Sequence, residues 1–179
     1  MCRNTGTLFD SSLKVSELEE EYLSCAFGED WRLFRNYLES LNEAFDFKFI
    51  SGQASVNPDI HNYYNPEMHK RLLGAEDILN RGLELIKAHY NFDERVRTVS
   101  VRLLEMHAKY CSLLAKALAL KALARDEEAL KAFDDMRHTA GQWEAEYQTF
   151  YDHSLVMYSI EPIFKQFAKS DVPIYRLDN

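Results

Sequence analysis

The sequence predicts an all-α fold: an antiparallel helical bundle of three long helices, preceded by a shorter N-terminal helix pair. Three observations carry this. The 179 residues include only six glycines and four prolines, so turns are few and segments long. Apolar residues recur at spacings of three and four over most of the chain, the period of helices with one buried face. Hydrophobic residues make up 46% and charged residues 28%, a globular balance in a chain long enough to bury a core.

Residues 1–14 are polar and read as a flexible N-terminal segment. Residues 15–46 form the helical pair. Ser16 and Glu19 make a capping-box pattern ahead of Leu18, Tyr22, Leu23 and Ala26. Gly28 stands where a left-handed residue would stop the first helix, and Asp30 can cap the next. Trp31, Phe34, Leu38, Leu41 and Phe45 then form an apolar stripe, which makes "FGED" a tight corner.

Periodicity fails over 47–65, a long connection with at most a short turn of helix. Asn65 and Pro66 restart the chain as N-cap and first helical residue. The bundle is expected over 66–160. Its first stripe is Met68, Leu72, Ala75, Leu79, Leu83, Ile86 and Tyr90, in which Gly74 and Gly82 either weaken the helix or admit a close neighbour. Its second is Val96, Val99, Leu103, Met106, Tyr110, Leu113, Ala117, Leu120 and Leu123, a helix of about 45–50 Å. Its third, after Asp126 as N-cap, is Leu130, Phe133, Met136, Ala140, Trp143, Tyr147 and Phe150. Short joints favour antiparallel packing at shallow angles. Pro162 should end helical character near Ile160, leaving 161–179 as a tail docked through Phe164, Phe167 and Tyr175.

Charge and motifs narrow the function classes. The net charge of −8 argues against nucleic acid, and Lys109, Lys116 and Lys121 are spread along one helix as a solvated face. Cys2, Cys25 and Cys111 are odd in number and have no CxxC pair, which suits free thiols in a reducing compartment, with Cys25 and Cys111 as small core residues. No apolar run approaches a membrane span and "MCRNTGTLFDSSLK" lacks a signal-peptide core, so the expected location is cytoplasmic. "AKALALKALARDEEALKAF" sounds like a tetratricopeptide joint, but no second copy follows at repeat distance.

Catalytic patterns are missing. There is no phosphate loop, GxSxG or HExxH, and His61, His69, His89, His107, His138 and His153 are scattered. Asp135 and His138 make a single Asp-x-x-His without a partner motif, so no metal and no cofactor is expected. Asp134/Asp135, Glu127/Glu128 and Glu144/Glu146 are neighbours on a helix and cannot straddle a glycosidic bond. The best surface candidate is "WEAEYQTFYDH". Trp143, Tyr147 and Tyr151 lie at i, i+4 and i+8 and would share one helical face, suited to a protein or glycan contact, with Trp143 and Phe150 turned inward.

The segment "EEYLSCAFGEDWRLFRNYLESLNEAFD" resembles the helical region that follows the (β/α) barrel in a family of uncharacterised glycoside-hydrolase-like proteins related to α-glucuronidases and hexosaminidases. The pattern Tyr-x-x-x-x-(Phe/Tyr)-Gly, then Tyr-Leu-x-x-Leu, falls on Tyr22, Phe27, Gly28, Tyr37, Leu38 and Leu41. "GQWEAEY" around Trp143 is similar to the end of such proteins. The resemblance implies a non-catalytic C-terminal accessory domain of a carbohydrate-active protein, packed on a catalytic barrel this chain does not contain, with carbohydrate as a further possible partner. No strand-helix alternation is present from which a barrel could form, so no catalytic residue is carried over. A stand-alone helical protein-interaction module is the alternative, and a helical enzyme or metal protein built from scattered His and carboxylates is a third reading.

Overall fold

A computed structural model describes residues 14–57, 62–147 and 149–165. It is all-helical, with no strand among the described residues. The elements are α1 (Val15–Phe27), a 3-10 turn (Gly28–Asp30), α2 (Trp31–Phe45), α3 (Phe47–Ile50), α4 (Pro66–Ala88), α5 (Arg95–Lys121), α6 (Asp126–Gly141), α7 (Glu144–Tyr147) and α8 (His153–Lys165). No described helix is long and apolar enough to cross a membrane.

The chain divides into two compact units, Met1–Glu43 with Asp77–Lys109 and Ala44–Glu76 with Tyr110–Asn179. In the first, the corner forms as its residues dictate. Gly28 takes φ 75°, which a β-carbon would disfavour, and its N–H reaches the Ser24 carbonyl. Phe27 then stacks on Phe34 with ring centroids 4.5 Å apart. α1 starts earlier than its capping pattern suggests. Lys14 precedes the helix and its N–H donates to the Glu17 carboxylate at 3.4 Å, which leaves Ser16 inside the first turn. Gly82 is the glycine with a reason: a β-carbon there would lie 2.0 Å from Cε2 of buried Tyr37. Gly74 has nothing within 4 Å and only weakens α4.

In the second unit, Asn65 caps α4 as expected, its Oδ1 accepting the Met68 N–H at 3.1 Å. The connection before it carries α3, where Phe49 is fully buried against Tyr63. The corner between α5 and α6 differs from expectation. Asp126 is the first residue of α6 rather than its cap, because its carboxylate is drawn to the Lys121 ammonium, 2.6 Å away. Lys121 is correspondingly no part of a solvated face: it is fully buried, 5.9 Å from the Tyr63 ring centroid. Burial lowers its pKa, opposed by Asp126.

Two further expectations fail. The buried stripe of α5 runs through Val101, Leu104, Ala108, Cys111, Ala115 and Leu118, with Leu114, Ala117, Ala119 and Lys121 buried beside it. Most of it lies one residue, or about 100°, round the helix from the expected stripe, of which Ala117 is buried and Val96 is 70% exposed. The third long rod is also interrupted. α6 ends at Gly141, α7 is a single turn, and Asp152 starts α8 by accepting the Leu155 N–H at 2.9 Å. α8 then continues through Pro162 to Lys165 instead of stopping near Ile160. Ile163 and Phe164 are buried, with Phe164 stacked 4.7 Å from Phe133, and this packing holds the last turn in spite of the proline. The expected docking of Phe167 and Tyr175 lies outside the described residues.

Candidate functional site

The aromatic run Trp143–Tyr151 does not form one helical face, because the chain turns on both sides of α7. Trp143 and Tyr147 are half-buried. Phe150 and Tyr151 exchange the places expected of them: Phe150 is 63% exposed and Tyr151 is buried. The Tyr151 hydroxyl lies 3.0 Å from His153 Nδ1. Burial raises the phenol's pKa, with Glu144 and Asp152 adding to the effect, so the proton stays on oxygen. With the phenol donating, His153 Nδ1 accepts.

A β-carbon on Gly141 would come within 3.3 Å of His153 Nε2, a tight contact that the imidazole would have to ease by a few tenths of an ångström. Beside it is an open depression of about 470 Å³ lined by Asp134, Arg137, His138, Gly141, Gln142 and His153. Arg137 pairs with Asp134 at 2.9 Å, and His138 Nε2 is 3.4 Å from the Gln142 amide nitrogen. The lining therefore offers hydrogen-bond donors and acceptors with its fixed charges already paired. It can hold a polar group of a ligand or partner, but it brings no nucleophile against a base. Among the described residues, no three His, Cys, Asp or Glu side chains gather as a metal site.

The Tyr22–Leu41 motif serves mainly to build the corner. Phe27, Tyr37 and Leu41 are buried, Leu38 is half-buried and Gly28 supplies the left-handed turn. Tyr22 alone of the six is exposed, at 56%. A second depression of about 440 Å³ lies near the corner, lined by Ser24, Cys25, Gly28, Glu29, Trp31 and Arg97. Cys25 corrects the thiol reading: it is disulfide-bonded. Cys111 is a free, buried thiol whose pKa burial pushes up to about 12.

Sequence reasoning missed three pairs: Tyr151 with His153, Lys121 with Asp126, and His89 with Asp30. The signals at hand were weak. They were an Asp before a His-Ser start at residue 152, and a basic residue five before an acidic one at residue 121. For residues 30 and 89, which are 59 apart, sequence spacing offered nothing. No protein-family model matches the chain, and no curated protein or solved structure is detectably similar to it.

Proposed function

We propose that this chain is a non-catalytic helical module that acts by docking, and that the outer side of α1 belongs to its docking face. Tyr22 carries the reading. Of the six residues of the motif it is the one the fold leaves in solvent. Val15, seven residues earlier on the same face, is 80% exposed, and Leu18 between them is half-buried. An apolar stripe ending in a tyrosine suits a protein interface, where aromatic anchors supply much of the binding energy. In the setting the motif implies, the partner is the catalytic barrel of a glycoside-hydrolase-like protein, and the chemistry lies in that barrel. Trp143 and Tyr147 are then the residues nearest a glycan or partner, while Tyr151 is buried.

One observation favours the alternative, a stand-alone interaction module. Leu155 and Tyr158 are 66% and 78% exposed, and exposed Pro162 follows on the same face of α8. This second outer stripe opposes buried Met157 and Phe164. A helix apolar on two sides suits a groove-type partner.

The test is Tyr22→Ser, measured against a barrel encoded in the same reading frame. The substitution should leave stability within about 0.5 kcal/mol, as an exposed site does. Loss of an aromatic anchor should weaken binding tenfold or more, about 1.4 kcal/mol or above. Unchanged affinity, or a reading frame without a barrel, removes the accessory-domain reading.

A further inference from the structure

We propose that His89 and Asp30 form a proton-operated clamp on the corner between α1 and α2, closed while both ring nitrogens of His89 carry protons. The argument is geometric. Nδ1 faces the Leu85 carbonyl at 2.8 Å and Nε2 faces Asp30 Oδ2 at 3.0 Å. A carbonyl and a carboxylate only accept hydrogen bonds, so a neutral ring, with one N–H, satisfies one of them and turns a lone pair toward the other. The imidazolium satisfies both.

The pair also spans two helix ends that suit its charges. His89 follows the last residue of α4, where a cation is favoured, and Asp30 precedes α2, where an anion is favoured. Phe34 meets the imidazole edge-on at 5.2 Å and Phe92 stacks at 6.2 Å, which restricts the ring to this orientation. Half-buried, the imidazole cannot exchange its partners freely for water.

The other described charged groups nearby are exposed or engaged elsewhere. Glu29 of the same turn is exposed. Arg97 of α5 donates to Glu94 at 3.1 Å and to the Cys25 carbonyl at 3.4 Å. Tyr90, next in the chain, hydrogen-bonds Glu105, with Arg102 and Lys109 close by. Among the described residues, Asp30 is thus the charge that acts on the ring. The pKa of His89 is raised, foremost by the Leu85 carbonyl, against burial and with the help of Asp30. A histidine with a raised folded-state pKa stabilises fully below its ordinary value of about 6.5 and loses that contribution as pH rises through the folded value. The clamp therefore loosens as pH rises above that ordinary value. This goes beyond the docking reading, and its test needs no partner.

Two measurements on the whole chain decide it. In an NMR titration the His89 ring should show a midpoint above that of a free histidine, and Asp30→Asn should bring it down, because an amide can donate or accept and so holds either ring form. Amide hydrogen exchange over residues 28–34, corrected for the intrinsic rate, should lose protection severalfold between pH 5.5 and pH 8.5 in the parent chain. The same comparison should be flat in Asp30→Asn and in His89→Gln. A midpoint at or below the free value overturns the clamp, and so does an equal loss of protection in the variants.

Discussion

Gly74 and Gly82 lie on one helix and invite the same substitution, yet alanine at the two should act with opposite sign. Propensity alone favours alanine over glycine by about 0.8–1 kcal/mol in a helix interior. At Gly74 nothing stands within 4 Å of the new methyl group, so most of that gain should appear as stability. At Gly82 the methyl carbon would sit 2.0, 2.4 and 2.6 Å from three atoms of the Tyr37 ring. Carbon atoms pack at roughly 3.5–4.0 Å, so the ring must retreat by more than about 1 Å. Tyr37 is only 7% exposed and has nowhere to go. Overpacking typically costs about 1–3 kcal/mol, and an overlap this deep belongs at the upper end. Subtracting the propensity gain leaves a net loss of about 2 kcal/mol for Gly82→Ala. Urea unfolding reads this directly: at unchanged slope, the midpoint of Gly82→Ala should fall by about 1 M, and that of Gly74→Ala should rise by about half as much. Adding Tyr37→Leu to Gly82→Ala should recover part of the loss, as expected of residues in contact. A Gly82→Ala chain as stable as its parent would refute the close packing of α2 against α4.

Two further outcomes follow from burial. Tyr151→Ala should cost about 3–5 kcal/mol as a core truncation, and Tyr151→Phe about 1 kcal/mol for the hydroxyl bond to His153; an exposed contact residue would lose affinity at constant stability instead, which paired melting and binding curves distinguish. Burial raises the pKa of Tyr63 to about 12, so its contribution to stability is intact below about 10 and is lost as pH rises through about 12. Tyrosinate absorbance and helical circular dichroism should therefore change together in strong alkali, and Cys111 should stay unreactive to thiol reagents at pH 8 until the chain unfolds.

Local chemistry was the legible part of this fold. Gly28, Asn65 and Pro66 act where their backbone preferences put them, because caps and turns depend on a few adjacent residues. The stripes of α2 and α4 were legible for a similar reason: each helix has one dominant apolar face. α5 misled because it is apolar on more than one side, and periodicity ranks large residues above alanines such as Ala108 and Ala115, which are buried. The break after Gly141 was hidden by an aromatic run that kept helical spacing across a turn. In α8, packing of Phe164 on Phe133 outweighs the local preference of Pro162. The candidate site was legible only as a neighbourhood. The pairing of Tyr151 with His153 depends on the turn at 149–152, and that of His89 with Asp30 on two segments meeting across the fold.

The corner between α5 and α6 gives sequence drift at two positions a direction. Asp126 keeps some access to water, with 17% of its side chain exposed, whereas Lys121 has none. Losing the acid first would strand a cation in protein, a change that typically costs about 3–5 kcal/mol. Losing the base first leaves a carboxylate that can turn to solvent. A lineage that abandons this pair should therefore shed the lysine before the aspartate, and chains with a small or neutral residue at 126 should already carry an uncharged one at 121.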